Sequence, residues 1–230
     1  MTDATSSRQR WVRMDLTLAL LTFVSSITDV LSFLALTNVF ASAMTGNTAL
    51  LGLAVGRGQI FAASRSASAL AAFLLGVACG ALLSRRASDR AALMALLALE
   101  ALCFGAFCGI WVAFEHPAES AAVYLLIAFA ATGMGIQAVA ARRINAPSLP
   151  TVVFTTTLTN IVMAATDAVV RRASLSHDTK RQIGIFAVYL AGATVAGALA
   201  TRHLDLLAVL PLIAVLMALA IEYRDSKLSA

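Results

Sequence analysis

Hydrophobic positions in this chain come in long unbroken runs, with short basic stretches between them. Six runs are long enough to cross roughly 30 Å of hydrocarbon as helices: residues 16–36, 67–84, 91–114, 121–141, 183–201 and 206–221. Two further runs, 39–56 and 151–170, are apolar but interrupted. The first opens FASAMTGNTALLGLAVGRG and the second holds FTTTLTNIVMAATDAVVR. Each is too polar at its start for an ordinary span and too apolar for a water-exposed loop. Irregular backbone at membrane depth survives only where protein or a water-filled cavity surrounds it. The pattern therefore predicts an all-α polytopic membrane protein with six transmembrane helices and two interrupted or re-entrant segments.

Composition agrees with this pattern. Of 230 residues, 60% are hydrophobic and only 13% charged, where a soluble domain carries about 25% charged residues. The net charge of +5 does not point to nucleic acid, because the Lys and Arg lie between the apolar runs, where they orient a chain and meet lipid headgroups. If both interrupted segments return to the face they entered, 14 of the 17 basic residues fall on one side and only Arg57, Arg65 and Arg202 on the other. Full crossing by both would move the Arg85–Arg90 cluster to the wrong face. The positive-inside rule thus selects six crossings over eight, in an inner (plasma) membrane with both termini cytoplasmic and the acidic connection 115–119 outside. The first run is too long for a secretory h-region of about 7–15 residues and contains Asp29, so no cleavage near Ala43 is expected.

The chain also repeats itself. Phe40–Arg57 lies on Phe154–Arg171 at a constant spacing of 114 residues, pairing Phe40 with Phe154, Ser42 with Thr156, Thr45 with Thr159, Gly46 with Asn160 and Arg57 with Arg171. The stretch 74–86 resembles 190–203, and Ser26-Ile27-Thr28-Asp29 corresponds in position to Met134-Gly135-Ile136-Gln137. Each half reads as helix, interrupted segment, helix, helix: residues 1–116 and 117–230. Three crossings per half is an odd number, so the second half is inverted relative to the first, as in many secondary transporters.

An acid in the first helix, then MTGNTALLGLAVGRG, then Gly135-x-Gln137 and a Thr-rich segment ending Thr159-Asn160 together resemble the YoaK-like family of uncharacterised bacterial multi-pass membrane proteins. The resemblance covers nearly the whole chain and is most specific over 44–52. The family pattern has Asn after the Gln and Gly after the second-half Thr, whereas this chain has Ala138 and Asn160. The resemblance implies the membrane fold and brings no substrate with it.

Candidate chemistry concentrates at the breaks and at the buried acids. Gly46 suits a turn with positive φ, and Thr45, Asn47 and Thr48 are candidates to cap a helix resuming at Ala49. The free N–H groups and positive end of such a half-helix attract an anion or carbonyl. Thr155, Thr156, Thr157, Thr159 and Asn160 could act in the same way from the second half, with Gln137 alongside. Capping alone is the competing role for Thr45 and Asn47. Asp29 lies about 20 Å along its helix, with Ser25 and Ser32 on the same stripe, and must face the bundle interior. It is a proton-coupling candidate, and Glu100 is either its relay partner or one end of an interhelical bond. Asp167, four residues before Arg171, reads as a surface ion pair. Gly76-x-x-x-Gly80 and Gly192-x-x-x-Ala196 are packing signals.

Cys79, Cys103 and Cys108 lie in apolar runs without metal-ligand spacing, and His116, His177 and His203 are far apart. No metal, cofactor or catalytic site is expected. The residues favour a secondary transporter of a small polar or anionic solute, proton-coupled through Asp29. A non-transporting scaffold or assembly protein is the alternative, and an intramembrane enzyme built on an Asp29–Glu100 dyad is the least supported. The expected partners are a small solute and the lipid bilayer, not nucleic acid; a homo-oligomer is compatible.

Overall fold

A computed structural model of the chain describes residues 2–85, 88–114, 121–144 and 154–228. The acidic connection 115–119 with His116, residue Arg86, the boundary between the proposed halves and the first residues of the 151–170 segment lie outside them. All described elements are helices: α1 (Thr2–Ala35), α2 (Met44–Gly56), α3 (Ile60–Ser84), α4 (Asp89–Ala113), α5 (Ala122–Arg143), α6 (Phe154–Arg171), α7 (His177–Ala200) and α8 (Leu204–Leu228). Six of these (α1, α3, α4, α5, α7 and α8) are long and apolar enough to cross a membrane. At 1.5 Å per residue, the 13-residue α2 reaches only about 20 Å, short of the hydrocarbon thickness.

The boundaries differ from the sequence expectation at several ends: α3 and α7 begin earlier than the runs at 67 and 183, and α8 ends beyond 221. The first helix extends back to Thr2. Helix α2 begins at Met44, so Thr45-Gly46-Asn47 form its first turn and do not precede a helix starting at Ala49. The described part of the second segment is one uninterrupted helix, α6. There Thr159 and Thr166 direct their hydroxyls to the carbonyls of Thr155 and Val162, so a Thr-rich run satisfies itself inside a helix.

The centre of the bundle is α1 and α5. Helix α1 packs on α7 and α8, α5 packs on α3 and α4, and α4 meets α8. Helix α2 lies on α3, and α6 lies on α7. Exchanging α1–α4 with α5–α8 leaves this pattern of neighbours unchanged. Close approach rests on small residues. A Cβ at Gly76 would fall 2.2 Å from the Thr132 carbonyl oxygen, and one at Gly135 would fall 2.2 Å from that of Phe73, so α3 and α5 touch backbone to backbone. Gly192 on α7 leaves room for side chains of α1, where a Cβ would meet the Ser26 hydroxyl and the Phe23 ring. The two small-residue pairs read as packing signals are buried here.

Polar ties fix the two ends of the bundle. At one end Arg143 pairs with Asp89 at 2.5 Å, Arg181 with Asp15 at 2.6 Å, and Thr17 donates to Glu222 at 2.8 Å. At the other end Trp111 donates to Asp205 at 2.9 Å, and Ser64 and Tyr124 share a bond of 2.7 Å. The turn joining α2 to α3 lies at this second end, and the turn joining α6 to α7 lies at the first.

Those two turns share one geometry. Gly58 has φ +67° and Arg172 φ +49°. Gln59 N–H donates to Ala54 C=O and Ala173 N–H donates to Ala168 C=O, both at 2.9 Å. Each is the six-to-one bond of a Schellman ending, which needs a left-handed residue just past the helix. These positions correspond under the same 114-residue spacing.

Candidate functional site

After Ala35 the chain turns back on α1. Thr37 and Asn38 are both left-handed, with φ of 66° and 62°, and Asn38 N–H closes onto Phe33 C=O at 3.1 Å. Phe40 stacks on Phe33 with ring centroids 5.0 Å apart. Residues 39–43 therefore descend along α1 until Ser42 reaches the level of Asp29, and α2 starts there.

Asp29 is the meeting point. Its Oδ1 accepts from the Ser42 backbone N–H at 2.7 Å and its Oδ2 from the Ser42 hydroxyl at 2.6 Å. Tyr189 Oη on α7 donates to Oδ2 at 3.1 Å. Ser25 adds a hydroxyl contact to Ser42 at 2.9 Å. Ala43, the residue flanking α2, caps it with no side chain of its own. Asp29 instead holds Ser42, two positions ahead of the first helical residue, so its acid group lies beside the positive end of α2. The anion at this helix start is thus the protein's own carboxyl. Three donors converge on it, and it ties the stretch leading into α2 to α7.

The structure does not gather the predicted binding residues round one space. Asn47 is fully buried and uses its amide on both backbone groups of one residue: Oδ1 accepts from Phe40 N–H at 2.9 Å and Nδ2 donates to Phe40 C=O at 2.7 Å. Gly46 is not left-handed, contrary to expectation. A Cβ there would meet the Phe40 ring at 2.9 Å, so glycine is required by packing. Thr45, Thr156, Thr159 and Asn160 are exposed on the outer faces of α2 and α6, and Thr48 bonds back to Met44 C=O. Thr157 is the buried threonine of α6. Asp167 is exposed.

Gln137 is fully buried and donates from Nε2 to Leu21 C=O on α1 at 3.0 Å. Glu100 is also fully buried, on α4. It makes no bond to Asp29, whose partners are all on other elements, so no dyad forms. Ser42 and Tyr189, both central to the Asp29 cluster, were not singled out in the sequence. Ser42 appeared there only as a repeat match, and Tyr189 carried no signal beyond being a polar-tipped aromatic within a span.

Over 148 residues, 63% of its length, the chain is 32% identical to the UPF0700 transmembrane protein YoaK of Bacillus subtilis (strain 168), and this match spans 64% of that relative. No solved structure matches it. The six apolar helices and a family match covering residues 17–221 lead to one conclusion: the chain belongs to the membrane-protein family described as "Protein of unknown function (DUF1275)".

Proposed function

We propose that the protein is a secondary transporter of a small anionic solute, coupled to protons through Asp29, in an inner membrane with both termini cytoplasmic. The observation that carries this reading is the Asp29 carboxyl held at the start of α2 by Ser42. Half-helix N-termini near the midplane hold anionic substrate groups in transporters with inverted repeats. Here an internal carboxyl takes the place that such a group would occupy. The matching neighbours and matching left-handed turns of α1–α4 and α5–α8 support an inverted pair of halves.

The coupling follows from hydrogen-bond balance. As an acceptor, Asp29 satisfies Ser42 N–H and the Ser42 and Tyr189 hydroxyls. A proton arriving on Asp29 removes its charge and converts one acceptor oxygen into a donor facing other donors. Ser42 and the positive end of α2 are then released to an incoming anion, so proton and anion bind together. Departure of the anion restores the internal contacts.

The test is uptake of a panel of small carboxylates and inorganic anions by proteoliposomes under an inward proton gradient. Wild type takes up at least one anion with the gradient's help, and folded Asp29→Asn loses that dependence. Undiminished gradient-driven uptake by the variant overturns the coupling.

One observation favours the alternative, a non-transporting scaffold: Asn47 is consumed by the backbone of Phe40, and Thr45 faces outward. In that case wild type moves no anion of the panel and is recovered from gentle detergent with a single stoichiometric partner.

A further inference from the structure

Glu100 and Gln137 hold three acceptor oxygens with nothing to accept. Both side chains are fully buried. Neither carboxyl oxygen of Glu100 has a hydrogen-bond partner, and neither does Gln137 Oε1. The Gln137 amide is already oriented by the Nε2 bond to Leu21 C=O.

The register of α4 against α5 brings the two residues to one level. The helices run antiparallel, with Asp89 opposite Arg143 at one end. Further along, a Cβ on Gly133 would lie 3.4 Å from Cys103 and from Phe104. Glu100 is about one turn before Cys103 on α4, and Gln137 about one turn after Gly133 on α5, so both stand at the same height. The surrounding core, including Leu96, Leu97, Ile136 and Ala140, is a single apolar cluster.

No positive charge is available there. Helix α3 has no charged residue between Arg65 and Arg85, α5 none before Arg142, and α8 none between Asp205 and Glu222. On α1 the acid within the span is Asp29, already engaged. The other titratable groups near this level are the thiols of Cys103 and Cys79. A buried ionised carboxylate without hydrogen bonds or a counter-charge is the costliest arrangement available to this core.

We propose that Glu100 carries a proton and donates it to Gln137 Oε1, forming a proton-dependent hydrogen bond between α4 and α5. The proton supplies the donor that this acceptor lacks and removes the uncompensated charge in the same step. Loss of the proton leaves acceptor facing acceptor and breaks the link between the helix that ends the first half and the helix that opens the second. The use of this bond as a second coupling point rests on the transporter reading, but the bond itself does not.

The test is infrared absorption of the purified protein in an ester-free detergent, with no solute present. Wild type shows the C=O stretch of a hydrogen-bonded carboxylic acid that disappears in Glu100→Gln. In Gln137→Met the same band persists but shifts to the higher wavenumber of an unbonded acid. An identical carboxylic-acid region in wild type and Glu100→Gln means that Glu100 is ionised and overturns the proposal. A band unmoved in Gln137→Met also overturns it. If Glu100→Gln fails to fold, the Gln137→Met shift alone decides. A transport failure would leave these spectra unchanged.

Discussion

Asn47 shows how a polar side chain can be indispensable without touching a ligand. Its amide satisfies both the N–H and the C=O of Phe40, which have no secondary-structure partner at the base of the re-entrant loop. Asn47→Ala leaves two part-buried backbone groups unpaired and is expected to cost on the order of 1–3 kcal/mol. Asn47→Asp keeps the acceptor but loses the donor to Phe40 C=O, and is at least as damaging. Thermal unfolding in detergent checks both, with a lowered midpoint expected for each. The sequence singled out Asn47 and Asp29 because polar groups in an apolar run are conspicuous. It could not supply their partners: Ser42 is 13 positions from Asp29 and Tyr189 is 160 away, and only the fold sets such pairings.

The two hairpin turns carry the same ending with different residues. Gly58 adopts its left-handed φ at no steric cost, whereas Arg172 bears a Cβ in that region, a strain of about 1–2 kcal/mol. Arg172→Gly is therefore expected to stabilise the protein by about 1 kcal/mol, less the added freedom of glycine in the unfolded chain, and Gly58→Ala to destabilise it by a similar amount. Denaturation midpoints of the two variants should move in opposite directions. The spans themselves were legible from hydropathy, to within a few residues for most ends. The start of α2 was not, because Thr-Gly-Asn resembles a local cap, whereas the residues leading into the helix are held by Asp29 of α1. The continuity of α6 was missed for a related reason: threonine is read as a breaker, yet here its hydroxyls bond within the helix.

At the scale of the whole molecule the two central helices pack against elements distant in sequence. Helix α1 finds its neighbours in α7 and α8, and α5 in α3 and α4, so neither α1–α4 nor α5–α8 buries its central helix alone. This arrangement depends on backbone contact at Gly76 and Gly135. Gly76→Leu is expected to separate α3 from α5 and abolish monodisperse folded protein, visible as loss of the single peak in size-exclusion chromatography. The 114-residue spacing of matching positions was legible, but which helices pack together was not, since a spacing in sequence says nothing of how the helices interleave. Entry of α2 and α6 from opposite faces is tested by replacing Cys79, Cys103 and Cys108 with alanine, placing single cysteines at Arg57→Cys or Arg171→Cys, and labelling sealed vesicles of known orientation with an impermeant maleimide. The two positions are expected to react from opposite sides; labelling of both from one side would mean that the segments cross fully and would rule such entry out.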